Sequence, residues 1–322
     1  MKIVIPGGSG HIGTLLSRAL TTEGHEVVVL SRMPNPAPWR VAHWDGVTVG
    51  DWTRELDGAD VVINLAGRSV NCRYNSANRS AILESRVRST QAIGAAISRS
   101  PRPPRIWLQM STATIYAHRF DAPNDERSGV IGGAEPGAPS TWRFSIDVAS
   151  AWEAAAAAAV APSTRQVLMR SAMVMSPEPG GVFEALYGVV RLGLGGRVGD
   201  GRQFVSWIHE QDFIAAVRWL IEHDELSGIV NLAAPTPLPQ QDFMRILRRA
   251  MGVPFGLSGS AWMLEIATLI HRTESELLLK SRRVIPTRLL ESGFAFRFPS
   301  WTVTAADLVG RRSQINSRVA AA

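Results

Sequence analysis

"MKIVIPGGSGHIGTLLSRAL", residues 1–20, is the stretch on which the fold turns. Residues 1–6 read as a short buried strand, and Leu15, Leu16, Ala19 and Leu20 share one face of a helix that opens after the glycines. Between strand and helix, Gly7, Gly10 and Gly13 keep the spacing GxxGxxG. Glycine there lets the backbone turn tightly and approach a pyrophosphate, whose charge is favoured by the open N–H groups of a helix N-terminus. In this strand-turn-helix setting the loop predicts a dinucleotide site built from Gly7, Ser9, Gly10, His11, Ile12 and Gly13.

Gly24 stops the helix, and "EVVVLSR", residues 26–32, is a second fully apolar strand, which completes a βαβ unit. Further strands are expected at residues 60–67, 106–112, 165–174 and 228–234, with helical stretches between them, and residues 47–51, "VTVGD", form another possible strand. Such alternation predicts an α/β chain with a Rossmann, doubly wound parallel sheet. From about residue 235 the pattern becomes helices with Pro/Gly-rich joints: "QQDFMRILRRAMG", "SAWMLEIATLIH" and "ESELLLKSRRVIPTRLLESGF". We therefore expect a Rossmann domain over residues 1–234, with 172–200 contributing to the substrate cleft. A smaller, mainly helical C-terminal substrate region over 235–310 and a flexible tail over 311–322 follow. "PNPAPW", residues 34–39, reads as a rigid loop.

Composition narrows the classes. The chain has 322 residues, 45% hydrophobic and 19% charged, with no apolar run near membrane-spanning length and no secretory leader pattern, so a cytoplasmic protein with no membrane association is expected. The net charge of +6 comes from scattered arginines, which suit an anionic cofactor or substrate; no basic stripe interleaved with aromatics points to nucleic acid. One cysteine, Cys72, excludes an internal disulfide, and no Cys/His cluster has metal-ligand spacing, so no metal is expected. Nothing in the sequence fixes an oligomeric state.

The second strand ends in Ser31-Arg32, where an NAD-preferring protein usually places an acidic residue for the ribose hydroxyls. A hydroxyl and a guanidinium there suit a 2′-phosphate, so NADP(H) is the expected cofactor. "NLAG" at residues 64–67 puts Leu65, Ala66 and Gly67 at a strand's carboxyl end, where a cofactor lies against backbone. Asp51 either faces the adenine or is a loop aspartate.

"GGSGHIG", "NLAG" and "STATIY", in this order, resemble the extended short-chain dehydrogenase/reductases. "RYNSANRSAILESRVRST", "AWEAAA", "RLGLGGRVGDGRQFVSWIHEQD", "NLAAPTP" and "RVIPTRLLESGFAFRFP" are similar to an atypical epimerase-like branch that ends in a small domain of unknown function. The resemblance runs from Met1 to about Leu308. It implies an NADP-binding Rossmann domain closed by the C-terminal segment, and an arginine after NLAG near the cofactor, a place that Arg73 occupies. Arg68 stands where the branch often has an acidic residue.

Standard members carry a Tyr-x-x-x-Lys pair one helical turn apart, the lysine lowering the tyrosine's pKa. The matching positions in "FSIDVASAWEAAAAAA", residues 144–159, are Ser145 and Ala149. No shift of alignment restores the pair, because the only lysines are Lys2 and Lys280. Ser111, Thr112 and Tyr116 are the remaining catalytic candidates, the hydroxyls to orient a substrate oxygen and the tyrosine as proton donor, against a reading as a capped strand end with a packed ring. Asp147 is either a base or a solvated helix residue. The glycine-rich loop with Arg197 and Arg202 reads as a lid over an anionic small-molecule substrate, joined by His209, which alternatively is a structural hydrogen-bonder. Two functions follow: an NADP(H)-dependent epimerase-like oxidoreductase, by hydride transfer, on a small polar or nucleotide-linked substrate, or a non-catalytic NADPH-binding redox sensor or scaffold.

Overall fold

The structure, a computed structural model, describes residues 1–136, 139, 142–159, 162–258 and 279–320. The expected helix over "SAWMLEIATLIH" and the first residues of "ESELLLK" lie outside them.

Strands β1 (Lys2–Pro6), β2 (Glu26–Ser31), β3 (Arg40–His43), β4 (Val61–Asn64), β5 (Ile106–Thr112) and β6 (Arg165–Ser171) form one sheet with β10 (Gly228–Leu232), in the order β10-β6-β5-β4-β1-β2-β3. The pairs β1·β2, β1·β4, β2·β3, β4·β5 and β5·β6 are parallel. Strands flanked by helices on both faces must be apolar throughout, and Val28 to Leu30 and Val61 to Ile63 are all buried. Helix α1 (His11–Thr22) follows β1, α2 (Ser76–Arg99) follows β4 and α3 (Arg143–Ala158) precedes β6. The Ala run of α3 lets it lie close to α2: a Cβ added at Gly94 would fall 2.2 Å from Ala159 Cβ, at that helix's end. One core layer gathers Val4, Val28, Trp44, Trp52, Ile93 and Trp107.

Chain contacts divide the molecule into two compact units: Met1–Ile115, Arg143–Ser171 and Ile214–Val230 in the first, and Tyr116–Trp142, Ala172–Phe213 and Asn231–Ala322 in the second. In the second unit β7 (Met173–Met175) pairs in parallel with β9 (Trp207–His209), and β8 (Phe204–Val205) pairs antiparallel with β11 (Leu238–Pro239). Around them lie α4 (Val182–Arg191), α6 (Gln240–Ala250), α7 (Thr287–Glu291) and α8 (Trp301–Ala320), while α5 (Glu210–Glu222) carries the chain out of this unit. Trp301 stacks on Phe243 at 3.9 Å in the core of this unit.

Four expectations are corrected here. A single cut at residue 234 does not describe the division, because residues 116–142 and 172–213 bond to the C-terminal chain: Asn124 N–H donates to Arg283 O (2.7 Å) and Ser206 Oγ to Arg282 O (2.6 Å). Residues 311–320 are the continuation of α8 and not a loose tail, since Arg311 pairs with Glu210 at 2.5 Å and Arg312 with Glu184 at 2.6 Å. Residues 47–51 form no strand; Asp51 opens a 3₁₀ turn (Asp51–Glu55) that exists to bury Trp52. The expected strand at 165–174 is two strands, interrupted at Ala172, whose N–H donates to Leu232 O.

Candidate cofactor site and active site

Strand β1 lies between β2 and β4, the point where the strand order reverses and open α/β sheets bind ligands beyond the carboxyl ends. The glycine loop is stitched to both neighbours: Gly7 N–H donates to Leu30 O (3.0 Å), and Leu65 N–H donates to Pro6 O (2.9 Å). Gly7 has φ +75°, and a Cβ on it would sit 2.7 Å from Ala66 Cα. A Cβ on Gly13 would sit 2.4 Å from Gly8 Cα. Both must be glycine for the protein's own packing.

Gly10 is different. Its φ is an ordinary −76°, and a Cβ would meet nothing nearer than Gly7 O at 3.6 Å. The helix it opens has no side-chain cap and no acidic residue in its first turn, and His11 Nε2 is buried without a hydrogen bond among the described residues. An open, uncapped helix N-terminus beside an unneeded glycine fits a pyrophosphate. Ser9 and Ile12 flank this position.

At the end of β2, Ser31 Oγ lies 3.2 Å from Ser9 Oγ and also accepts from Met33 N–H at 3.2 Å. These hydroxyls open into a cavity of about 620 Å³ whose wall includes Thr14, Arg18, Asn35, Pro38 and Trp39 and, among the described residues, no Asp or Glu. Arg18 and Trp39 were not singled out from sequence, although Thr14, Arg18 and Thr21 repeat at helical spacing and "PNPAPW" supplies the opposite wall. Arg32 is exposed just past the strand and is not part of the wall. Neither is Asp51, which is 96% exposed and paired with Arg54, so the structure supports the loop-aspartate reading.

The NLAG segment is shaped from beneath. Buried Asn64 donates through Nδ2 to Gln109 Oε1 (2.9 Å) and accepts Ala66 N–H (3.0 Å), which turns Leu65, Ala66 and Gly67 out of the strand. Beyond them Arg86 lies over the Trp152 ring at 5.0 Å and donates to the Arg68 and Ile82 carbonyls. Burial pulls its pKa down to about 10, so it remains a cation. Gly67 lies close beneath it: a Cβ there would sit 3.2 Å from Arg86 Cζ, so that side chain would have to shift slightly. Arg68 is tied to α2 through Ser85 and Asn78, and half-buried Arg73 leads into the same helix, its carbonyl held by Asn78 Nδ2 at 2.7 Å.

The sequence profile of the NAD dependent epimerase/dehydratase family matches residues 3–233. The chain belongs to this family. A second profile, a domain of unknown function (DUF1731), matches residues 260–308. The chain is 33% identical over 303 residues to the epimerase family protein SDR39U1 of Bos taurus, covering 93% of this chain and 96% of that protein. It is 28% identical over 322 residues to the epimerase family protein YfhF of Bacillus subtilis, covering 98% and 100%. The crystal structure of human SDR39U1 (isoform 2) with NADPH superposes with a TM-score of 0.83 at 30% identity, covering 96% of this chain and 99% of that one.

At the family's usual dyad positions, Ser145 is half-buried and Ala149 fully buried in α3, beside Phe144, which meets the Tyr74 ring and the Arg79 guanidinium. Ser111 is buried and donates to Glu153 Oε1 at 2.5 Å; Glu153 is gripped through both oxygens by Arg170, each bond 2.8 Å. Ser111 and Arg170 are register partners on β5 and β6, so the strand pairing itself places both beside the helix carboxylate. Half-buried Thr112 accepts Thr114 N–H and caps the strand end. Asp147 is a solvated residue on α3, paired with Arg143.

In the second unit Tyr116 is 1% exposed and its hydroxyl donates to Asn231 Oδ1 at 2.9 Å. A ring so enclosed matches the packed-tyrosine reading. His209 is also buried, stacked on Phe298 at 3.8 Å; its Nδ1 accepts Gln211 N–H, so Nε2 carries the proton and donates to Asp307. Burial pulls its pKa down to about 4 despite Asp307. Asp212, in the first turn of α5, accepts the Arg297 and Phe298 N–H groups. The glycine-rich loop is bonded to its neighbours: Gln240 bonds Gly196 O and Val198 N–H, and Leu257 N–H donates to Gly193 O. Arg197 and Arg202 diverge, Arg202 lying over Phe120 at 5.9 Å while Arg197 lines a separate pocket. No group of three or more His, Cys, Asp or Glu side chains suited to a metal occurs among the described residues, and no helix among them is long and apolar enough to cross a membrane.

Proposed function

We propose that the chain is an NADP(H)-binding, epimerase-like oxidoreductase acting on a small polar or nucleotide-linked substrate. The observation that carries the cofactor assignment is the cavity at the end of β2, continuous with the Ser9–Ser31 hydroxyl pair and lined by Arg18, with no carboxylate among the described residues of its wall. An NAD-type ribose grip needs an acid there, whereas a 2′-phosphate needs donors and positive charge. NADPH in the human relative's crystal supports the same choice.

Gly10 and the open end of α1 would hold the pyrophosphate, Ser31 with Arg18 and Arg32 the 2′-phosphate, and Leu65 to Gly67 would leave room along the backbone toward the end of β5. The nicotinamide, when bound, supplies or takes a hydride at a substrate carbon. Ser111 has its own proton committed to Glu153, so its oxygen is presented as an acceptor, and Thr112 offers a hydroxyl at the same strand end. Because Ala149 and not a lysine stands one helical turn after Ser145, a proton would travel by hydroxyl or water.

A direct test is titration of the protein with NADPH and NADH by fluorescence, followed by absorbance of NADPH against a panel of carbonyl compounds and sugar nucleotides. Tighter NADPH binding with oxidation by some panel member supports the reading; preference for NADH refutes the cofactor assignment. A second reading, an NADPH-binding sensor or scaffold, is favoured by the two hydroxyls already engaged, Ser111 on Glu153 and Tyr116 on Asn231. Tight NADPH binding without turnover across the panel would place it first.

A further inference from the structure

Three guanidinium groups, Arg197, Arg245 and Arg248, line one pocket of about 400 Å³ in the second unit, with Asp242 the only carboxylate among the described residues of its wall. Gathering like charges is unfavourable unless something neutralises them, and Asp242 is already paired with Arg245 at 2.7 Å one helical turn away. Among the described residues of the wall, two net positive charges remain.

The arginines are held, not merely exposed. Arg197 and Arg248 each rest their aliphatic stem in a notch left by a glycine. A Cβ on Gly201, which has φ +71°, would fall 2.5 Å from Arg197 Cγ, and one on Gly256 would fall 2.8 Å from Arg248 Cδ. Arg248 Nη1 donates to Gly195 O at 2.5 Å, and Gln241 N–H donates to Gly201 O at 3.1 Å, so helix α6 and the glycine-rich loop are fixed to one another around the pocket. The apolar face of α6, Phe243, Met244 and Leu247, is buried, which turns Asp242 and Arg245 toward the opening. Ser258 and Gln241 add neutral polar groups to the wall, and Gly196 and Gly256 let its two backbone segments approach closely, since a Cβ on Gly196 would lie 2.5 Å from Gly256 O.

We propose that this pocket is a binding site for a phosphoryl group, carried by a small solute, that is separate from the dinucleotide site. A phosphate monoester carries roughly −1.5 to −2 charges near neutral pH, which matches the surplus, and presents several oxygens to arginine forks. The site does not depend on the cofactor reading, because every residue in it belongs to the second unit.

Calorimetric titration of the full chain with inorganic pyrophosphate, with and without saturating NADPH, tests it. Saturable binding that persists with NADPH is expected. In an Arg197→Gln/Arg245→Gln variant the affinity falls about tenfold or more, the loss of charge-assisted bonds, while Arg249→Gln, an exposed arginine outside the pocket, changes little. Circular dichroism and melting of the double variant confirm that it is folded; should it not fold, Arg245→Gln alone is read instead. Absence of saturable binding, or binding unaltered in the variants, overturns the site. Malonate binding as tightly as pyrophosphate overturns the phosphoryl assignment.

Discussion

Ser111 and Glu153 are joined by a 2.5 Å hydrogen bond between the end of β5 and the middle of α3, and Arg170 grips the same carboxylate from the neighbouring strand. Glu153 stands four residues after Ala149, which itself stands four after Ser145, so one helix stripe that is alanine and serine at the dyad positions turns acidic a turn later. This stripe ties the helix to the sheet where the orthodox members place their proton donor.

Removing Glu153 therefore leaves a nearly buried guanidinium without its carboxylate. Breaking such a pair costs about 3–5 kcal/mol, and Glu153→Ala is expected to lower the melting temperature by several degrees, with Glu153→Gln intermediate because its amide oxygen still accepts from Ser111. NADPH affinity should stay close to wild type, since no residue of the glycine loop is touched. Calorimetric melting together with NADPH titration checks both halves, and an unchanged melting temperature would refute the structural weight given to the pair.

The glycine loop separates folding from binding. Gly13→Ala drives a methyl group into Gly8 backbone, 2.4 Å away, and should cost about 1–3 kcal/mol or more of stability. Gly10→Ala meets only Gly7 O at 3.6 Å and should cost about 1 kcal/mol at most, the difference between glycine and alanine at a helix N-cap. The second variant nevertheless loses NADPH affinity about tenfold or more, because its methyl group stands where the pyrophosphate lies against backbone. If Gly10→Ala bound NADPH normally, the loop would not be the phosphate cradle.

Much of this was legible in the sequence because it follows from local rules. The sheet strands are uniformly apolar and the loop glycines have a fixed spacing, so β1, α1, β2 and the NLAG turn were placed within a residue or two. What escaped depends on residues far apart in sequence. Asp51 looked like a strand end, yet the need to bury Trp52 curls that segment into a 3₁₀ turn. The unit division could not be read from periodicity, since residues 116–142 join the C-terminal chain through single bonds such as Asn124 to Arg283. Glu153 was passed over as part of a family mark, its partner Arg170 being visible only through strand register.

Discrimination between the two nicotinamide cofactors should reside in positive charge at the end of β2. Arg18 lines the cavity on the face of α1 and Arg32 is exposed past Ser31. Replacing either with alanine is expected to weaken NADPH binding by about tenfold while leaving NADH nearly unchanged, and the double replacement should remove most of the preference. Fluorescence titrations of both cofactors against the three variants give the ratio directly. Parallel losses for NADH and NADPH would mean that these arginines serve the fold or the adenine and not the 2′-phosphate.

His209 gives the fold a pH dependence with a definite sign. Its neutral ring accepts Gln211 N–H at Nδ1 and donates to Asp307 at Nε2, so a second proton would have to sit on Nδ1 against that N–H. Burial accordingly lowers its pKa from 6.5 to about 4. Between those values the unfolded chain binds a proton that the folded chain does not, so stability contributed by this residue falls as the pH drops from 6.5 toward 4, by up to roughly 3 kcal/mol. Asp212 and Glu126, whose pKa values are raised by burial, act in the opposite direction at acid pH, so the test is a difference between two proteins. His209→Gln should be less stable than wild type at pH 8, where it loses hydrogen bonds, and the gap between the two should narrow at pH 5, where only the wild-type histidine is penalised. Melting curves of both proteins across this range would show the convergence, and a gap that stayed constant or widened on acidification would mean that His209 titrates normally.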